Sequence, residues 1–340
     1  MKAAVYDGNG GLVVRDVPRP EVGTDGVLLN VSHVGFCGSD HHMIESRNLA
    51  EGYILGHEVS GTVVEIGPDV RGVELGTRVI IRPTFCGSCP ECLTGKPYMC
   101  VNDRRALGIG SMNGAFAEYV LVYPQMLIPI PHGVDSRNAA LAEAFAASYH
   151  GIRCSQRTGG SALVIGGGAI GLALVRLLKV MGFGPVALSE PVESKRALAA
   201  QYGADMTVDP IETNLVLWTF EKTSGRGFDA VYECSGVPRV VQEGMNTVAR
   251  GGVMCIVSII MKDVTISPIV LNFKEIWLTG SYSNTHEENK EILDWMAQGK
   301  IDGRPLITEE VTLDELPSVY RQRIATGQAI KVMIRVGEPF

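Results

Sequence analysis

The sequence has no excess of basic residues, no uninterrupted long apolar run, no internal repeat and no low-complexity tract. With 30 Lys+Arg against 37 Asp+Glu, its formal charge of −7 is the wrong sign for a nucleic-acid or anionic-membrane surface as the main partner. The longest apolar stretch, around Ala169 to Met181, is broken by Arg176 and Lys179 and falls far short of a bilayer span. The opening MKAAVYDGNG carries no basic segment followed by an apolar one, so a secretory leader is not expected and a cytoplasmic location is. The 40 glycines show no period of three, which excludes collagen and assigns them to turns and close backbone approaches.

What is present begins with length and cysteine. A chain of 340 residues corresponds to about two domains and buries enough surface to fold without disulfide staples. Of the 8 cysteines, Cys86, Cys89, Cys92 and Cys100 are clustered, whereas Cys37, Cys154, Cys234 and Cys255 stand singly. In a reduced compartment such a cluster signals metal or catalysis rather than disulfides.

Short β-branched runs separated by Gly, Pro and Asp fill the first third: KAAVYD, GVLLNVSHVGF, GTVVEIG and RVIIRP. From about residue 160 strands alternate with helices, which predicts a parallel sheet with right-handed crossovers. SALVIG leads into the helix AIGLALVRLLKVMG, PVALSE into SKRALAAQYGA, and MTVD into a helix around Leu215 to Lys222. FDAVYECSG then precedes a helix around Val241 to Val248, followed by the strands GVMCIVSII and IWLTGSYS. The tail holds helices near Glu287 to Ala297 and Leu313 to Arg323 and a last strand, KVMIRV.

Three constellations carry chemistry. Cys86-x-x-Cys89-x-x-Cys92-x7-Cys100 lets successive thiolates turn inward, with Gly87, Pro90, Gly95 and Pro97 bending the backbone. Four sulfurs suit a tetrahedral structural zinc with no position left for substrate. An iron–sulfur centre or redox thiols are the alternatives. A second cluster spans GFCGSDHH and LGHEVSGTVVEIG, where Cys37, His57 and Glu58 offer sulfur, imidazole and carboxylate. Glu143 lies in the apolar stretch ALAEAFAAS and, once buried, must be paired, protonated or metal-bound. A Cys/His/carboxylate set with an open position suits a catalytic zinc, although an isolated Cys and His are more often core residues. His42, five positions after Cys37, is placed to relay a proton from Ser39. His33, His150 and His286 read as structural and His132 as a surface turn residue.

The third is Gly166-Gly167-Gly168-Ala169-Ile170-Gly171, a G-x-G-x-x-G turn between a strand and a helix. Its glycines permit close approach to a pyrophosphate seated on the helix N-terminus. Glu190 ends the next strand, where an acid binds ribose hydroxyls and repels a 2′-phosphate, so NAD is expected over NADP. Lys195 and Arg196 nearby weigh the other way.

With these motifs in this order, the chain resembles the zinc-containing medium-chain dehydrogenase/reductases, the alcohol, sorbitol and threonine dehydrogenase superfamily, over essentially its whole length. The resemblance implies an α/β protein: a GroES-like β-rich catalytic domain over residues 1–150, completed by 286–340, and a Rossmann doubly wound parallel-sheet domain over 151–285. The active site would lie in the cleft between them. It also implies a catalytic zinc on Cys37, His57 and Glu58 or Glu143, a structural zinc on Cys86, Cys89, Cys92 and Cys100, and a proton relay through Ser39 and His42. Cofactor contacts would come from Gly166, Gly168, Gly171, Glu190, Lys195, Ser235 and Gly236, with Ser281-Tyr282-Ser283 near the nicotinamide. The chain departs from sorbitol-type relatives at Ala144-Phe145 after Glu143, at Met43 and at Ser281. Phe36, Met43, Ile44 and Phe145 therefore suggest a more apolar substrate wall. The expected activity is oxidation of a secondary alcohol or polyol-like substrate to a ketone by an NAD-dependent homodimer or homotetramer. Oxidation of a 3-hydroxy amino acid such as threonine is the alternative within catalysis. Outside catalysis the alternative is a nucleotide-binding protein on the same fold.

Overall fold

The computed structural model describes residues 1–340 apart from 84, 103 and 104. The chain divides into two units, Met1–Glu143 with Thr285–Phe340, and Ala144–Asn284. The expected boundary at residue 150 falls inside a helix, Ala142–Cys154, and the division between the units comes seven residues earlier, after Glu143.

The first unit is built on strands β1 (Lys2–Tyr6), β2 (Leu12–Asp16), β3 (Val27–Gly35), β4 (Glu58–Ile66), β5 (Arg78–Ile81), β6 (Tyr119–Val122) and β7 (Leu127–Pro129). Strands β8 (Ala162–Ile165), β9 (Val186–Ser189), β10 (Met206–Val208), β11 (Phe228–Glu233), β12 (Val248–Ile256) and β13 (Trp277–Gly280) belong to the second. The chain then returns to the first unit with β14 (Ile307–Thr312) and β15 (Lys331–Arg335).

In the first unit a seven-stranded sheet runs β14-β15-β3-β4-β5-β7, with β6 also on β3, and β1 pairs with β2 in a separate ribbon. All pairs are antiparallel except β14 with β15. The pairing of β15 with β3 sets Met333 opposite Gly35, so the last strand of the chain reaches the neighbourhood of Cys37. The core gathers Val27, Leu29, Val31, Ile44, Phe116 and Ile334, each fully buried.

The second unit is a six-stranded, wholly parallel sheet in the order β10-β9-β8-β11-β12-β13. Counted from β8 this is 3-2-1-4-5-6, the Rossmann order, whose switch point lies between β8 and β11. Strands buried on both faces read as continuous apolar runs, as ALVI in β8 and VALS in β9 do. The helix Ala169–Val180 buries Leu172, Leu174, Val175, Leu177 and Leu178.

Several elements differ from the expected ones. Strand β12 begins at Val248 and stops at Ile256, so Val257 to Ile260 form a loop beyond the sheet. The helix read near Leu313 to Arg323 is a short α-turn, Leu316–Val319, continued by a π-helix, Tyr320–Ile324. The GSDHH segment forms a helix, Gly38–Ser46, in a stretch rich in turn residues. Of the apolar residues read as a substrate wall, Ile44 and Phe145 are fully buried and Phe36 is 5 % exposed. Phe36 stacks on Phe116 with ring centroids 5.5 Å apart, so Phe36 and Ile44 are core rather than wall.

Candidate active site and dinucleotide turn

Within the first unit, one ligand atom each from Cys37, His57 and Glu58 lies within 4.8 Å of the others. Cys37 caps the helix Gly38–Ser46 in an extended conformation, while His57 and Glu58 stand at the entrance of β4. Asp40, at the third helical position and fully buried, accepts a hydrogen bond from Cys37 N at 2.9 Å and from Gly56 N at 3.2 Å. Its Oδ1 also lies 3.4 Å from His57 Nδ1. One carboxylate thus ties the cysteine loop to the histidine loop and faces the imidazole, as outer carboxylates do for metal-bound histidines. Burial disfavours the imidazolium of His57, but the charges of Asp40 and Cys37 outweigh it and raise its pKa well above the ordinary value.

Ser39 Oγ lies 3.4 Å from His57 Nε2. His42, three residues along the same helix, is exposed, with its ring centroid 6.0 Å from that of His41. Ser39 is therefore beside the ligand cluster and His42 toward solvent.

Lys331 Nζ lies 2.7 Å from both oxygens of Glu58 and donates to Phe36 O at 3.2 Å. Both side chains are almost wholly buried, 3 % and 1 % exposed. Burial pushes the Lys331 ammonium toward neutrality, but Glu58, Cys37 and, more weakly, Glu143 raise its pKa overall. Glu58 is accordingly the counter-ion of a buried lysine as well as a candidate ligand. Glu143 acts on the same lysine by charge and stands outside the tight Cys37/His57/Glu58 group.

The other cysteines also converge: one sulfur each from Cys86, Cys89, Cys92 and Cys100 lies within 4.8 Å of the rest. All are free thiols. Cys89 and Cys92 sulfurs are 3.4 Å apart, and those of Cys86 and Cys92 are 3.9 Å apart. A tetrahedron of zinc–sulfur bonds has an edge of about 3.8 Å, so the donor set fits that metal in type and spacing. Backbone N–H groups of Ser88 and Cys89 point at Cys86 Sγ. Mainly through Ser88, they draw its pKa down to about 6. Burial and neighbouring thiols push Cys92 up to about 12.

In the second unit the glycine turn follows β8 and opens the helix Ala169–Val180. Gly166 has φ +105°, and a Cβ there would sit 2.8 Å from Ser235 N; one at Gly171 would sit 1.9 Å from Gly166 O. Neither position can carry a side chain without moving backbone. Beside the turn is a cavity of about 430 Å³ lined by Gly166, Gly168, Glu190, Lys195, Ser235 and Arg239, among others. Glu190, 6 % exposed, accepts from Gly167 N at 2.6 Å and Val192 N at 3.0 Å. Arg196 is turned away onto Glu190 O, Pro191 O and Asp209.

The remaining histidines fall outside these clusters. His33 is fully buried with neither ring nitrogen hydrogen-bonded, and burial pulls its pKa down to about 4. His132 is exposed, His150 is buried in the helix Ala142–Cys154, and His286 begins the helix His286–Ala297. Sequence reasoning missed Asp40 and Lys331. The spacing of Asp40 from Cys37 is that of a capping box, which was a usable signal. Lys331 is 273 residues from Glu58, and nothing local distinguishes it from a surface lysine.

Residues 23–132 match the alcohol dehydrogenase GroES-like domain family and residues 169–298 the zinc-binding dehydrogenase family. The chain is 33% identical to a sorbitol dehydrogenase of Halalkalibacterium halodurans, covering 98% of this chain and 99% of that one. It is 32% identical to an L-threonine 3-dehydrogenase of Pyrococcus horikoshii, covering 88% and 87%. Among solved structures, a zinc-binding dehydrogenase of Sinorhizobium meliloti bound to NADP superposes with a TM-score of 0.90 at 34% identity over 98% of each chain. With a GroES-like unit, a Rossmann unit and both sulfur-containing clusters in place, the chain belongs to the zinc-containing medium-chain dehydrogenase/reductases.

Proposed function

We propose that this chain is an NAD-dependent zinc alcohol dehydrogenase that oxidises a secondary alcohol or polyol-like substrate to a ketone. The observation that carries the reading is the convergence of Cys37, His57 and Glu58 with Ser39 Oγ beside them. Sulfur, imidazole and carboxylate from three positions suit a catalytic zinc, which keeps one position open, rather than a closed four-ligand structural one. Zinc held by Cys37, His57 and Glu58 would supply Lewis acidity to a substrate hydroxyl, and a dinucleotide held at the Gly166 turn would supply the hydride acceptor for the carbinol carbon. Asp40 orients His57, Lys331 holds Glu58, and Ser39 relays the hydroxyl proton, giving up its own toward solvent on the side of His42 as it takes the substrate's.

The preference for NAD rests on Glu190, whose buried carboxylate would repel a 2′-phosphate, and on Arg196, whose guanidinium is already occupied. Lys195 and Arg239 line the same cavity, and the Sinorhizobium relative binds NADP. Initial rates with NAD⁺ and NADP⁺ test the choice; a preference for NADP⁺ would overturn it. A panel of secondary alcohols, polyols and L-threonine, followed by NADH absorbance, separates the alcohol reading from the 3-hydroxy amino acid one.

Cys37→Ser should abolish turnover and lower the metal content while the fold persists; an active variant would sink the proposed ligand set. Native protein with one zinc per chain and no turnover on the panel would favour the non-catalytic alternative. Clustered free thiols favour a reducing, cytoplasmic setting, and among the described residues no helix is long and apolar enough to cross a membrane. A homo-oligomer is part of the proposal. β13 is an edge strand of the parallel sheet and Trp277 on it is 60 % exposed, a surface that favours strand pairing.

A further inference from the structure

The second unit contains a buried acid that the proposed chemistry does not use. Glu233, the last residue of β11, is fully buried, and among the described residues its carboxylate has no cation as a hydrogen-bond partner. Oε1 accepts from Ser235 N at 2.7 Å, Ser235 Oγ at 2.6 Å and Gly236 N at 3.0 Å. Oε2 accepts from the hydroxyl of Ser258. The main-chain carbonyl of the same residue accepts from Val257 N at 2.9 Å and Ser258 N at 3.1 Å. Ser235 Oγ in turn accepts from Val237 N at 3.2 Å, at the N-cap of the helix Pro238–Thr247. One residue therefore fastens the loop after β11, the loop after β12 and the start of a helix.

These loops lie where precision matters. A Cβ on Gly166 would fall 2.8 Å from Ser235 N and 2.9 Å from Cys234 C, so the glycine turn and the Ser235 backbone are in close contact. Ser235 and Gly166 line the same cavity. Gly236 holds φ +71°, a conformation that two N–H bonds to Glu233 help maintain. An isolated buried carboxylate is costly, and even a hydrogen-bonded one is retained against a simpler apolar packing. Serving only to fill the end of a strand would not require an acid.

We infer that Glu233 is a positioning residue for the dinucleotide, setting the Ser235–Gly236 backbone against the Gly166 turn and coupling it to the Ser258 loop. This rests on reading the cavity as the dinucleotide site. Glu233→Gln is nearly isosteric but keeps one acceptor oxygen and puts an N–H₂ where the other stood, so the two loops can no longer both donate to the same side chain.

The test is fluorescence titration of zinc-replete, full-length wild type, Glu233→Gln and Ser258→Ala with NADH and NADPH, alongside steady-state kinetics and amide hydrogen exchange. For Glu233→Gln the expected result is a dinucleotide Kd and KM raised about tenfold, the equivalent of one lost charged hydrogen bond. At saturating dinucleotide, kcat should change by less than about threefold, and exchange should quicken at Ser235, Gly236 and Ser258 but not across β8 to β10. Wild-type Kd in a folded Glu233→Gln would overturn the inference. If that variant does not fold, Ser258→Ala decides: a Kd raised about threefold supports the inference, and an unchanged one overturns it. Wild type that binds neither dinucleotide would remove the proposed function itself, and this inference with it, an outcome distinct from wild-type binding that Glu233→Gln leaves intact.

Discussion

At the scale of single residues, burial decides what a polar side chain does here. His33 shows it in its simplest form: fully buried on β3, without a hydrogen-bond partner on either ring nitrogen, and with a pKa lowered by burial to about 4 from 6.5. Because the folded value lies below the unfolded one, the unfolded chain binds more protons between these limits, and stability falls as pH drops from 6.5 toward 4. Between pH 7 and pH 5 this one group should cost about 2 kcal/mol of unfolding free energy. Urea unfolding of wild type and His33→Leu at both pH values checks it: the variant should lose less stability on acidification by about that amount. Parallel curves would show that the ring finds a partner when protonated. The strand is buried at nearly every position, and the sequence places His33 in the strand-like run GVLLNVSHVGF and reads it as structural. It could not separate His33 from His57 by residue type, only by the Gly-flanked GHE turn.

At the scale of elements, the glycine turn and the cysteine lobe were legible for a shared reason: each encodes its geometry in a short contiguous spacing. The G-x-G-x-x-G turn specifies a tight bend and an open helix end within six residues, and the Cys86 to Cys100 run specifies four converging sulfurs within fifteen. Gly171→Ala tests the first. Its Cβ would sit 1.9 Å from Gly166 O, so the turn must open, and NADH affinity in a fluorescence titration should fall by tenfold or more, about 1.4 kcal/mol or above. Retained affinity would mean that the turn does not hold the pyrophosphate. For the lobe, Cys92→Ser removes a sulfur 3.4 Å from Cys89 and 3.9 Å from Cys86. Loss of a metal-held closure should lower thermal stability, with about one zinc fewer per chain by elemental analysis. An unchanged melting temperature and zinc content would count against a structural metal. The helix Gly38–Ser46 offers only the Cys37-x-x-Asp40 capping spacing as a local signal. Its GSDHH opening is dense in turn residues, and what folds it is the Asp40 carboxylate accepting from Cys37 N, a contact whose value comes from the buried site around it.

At the scale of the whole chain, the return of the tail to the first unit follows from the family resemblance and from no local pattern in the tail itself. KVMIRV reads as a final strand, but its pairing with β3 and the placement of Lys331 against Glu58 depend on contacts across 273 residues or more. No local pattern encodes such a pair, since a lysine opening a strand looks the same whether it meets solvent or a buried acid. The pair nevertheless closes the site, because Lys331 also donates to Phe36 O, the carbonyl just before Cys37. Removing one member of a buried ion pair strands the other charge, at a cost of about 3–5 kcal/mol, whereas removing both often costs much less. Lys331→Met should therefore destabilise the protein by that order in chemical denaturation, and Glu58→Gln added to it should restore much of the loss. Zinc affinity read by competition with a chelator separates the two roles of Glu58. If Lys331 competes with the metal for this carboxylate, Lys331→Met should hold zinc more tightly even as the fold weakens. If the lysine instead aligns Glu58 for the metal, affinity should fall with stability. Additive destabilisation in the double variant would show that the two side chains do not act as a pair, and the tail would then close the site through the β15–β3 ladder alone.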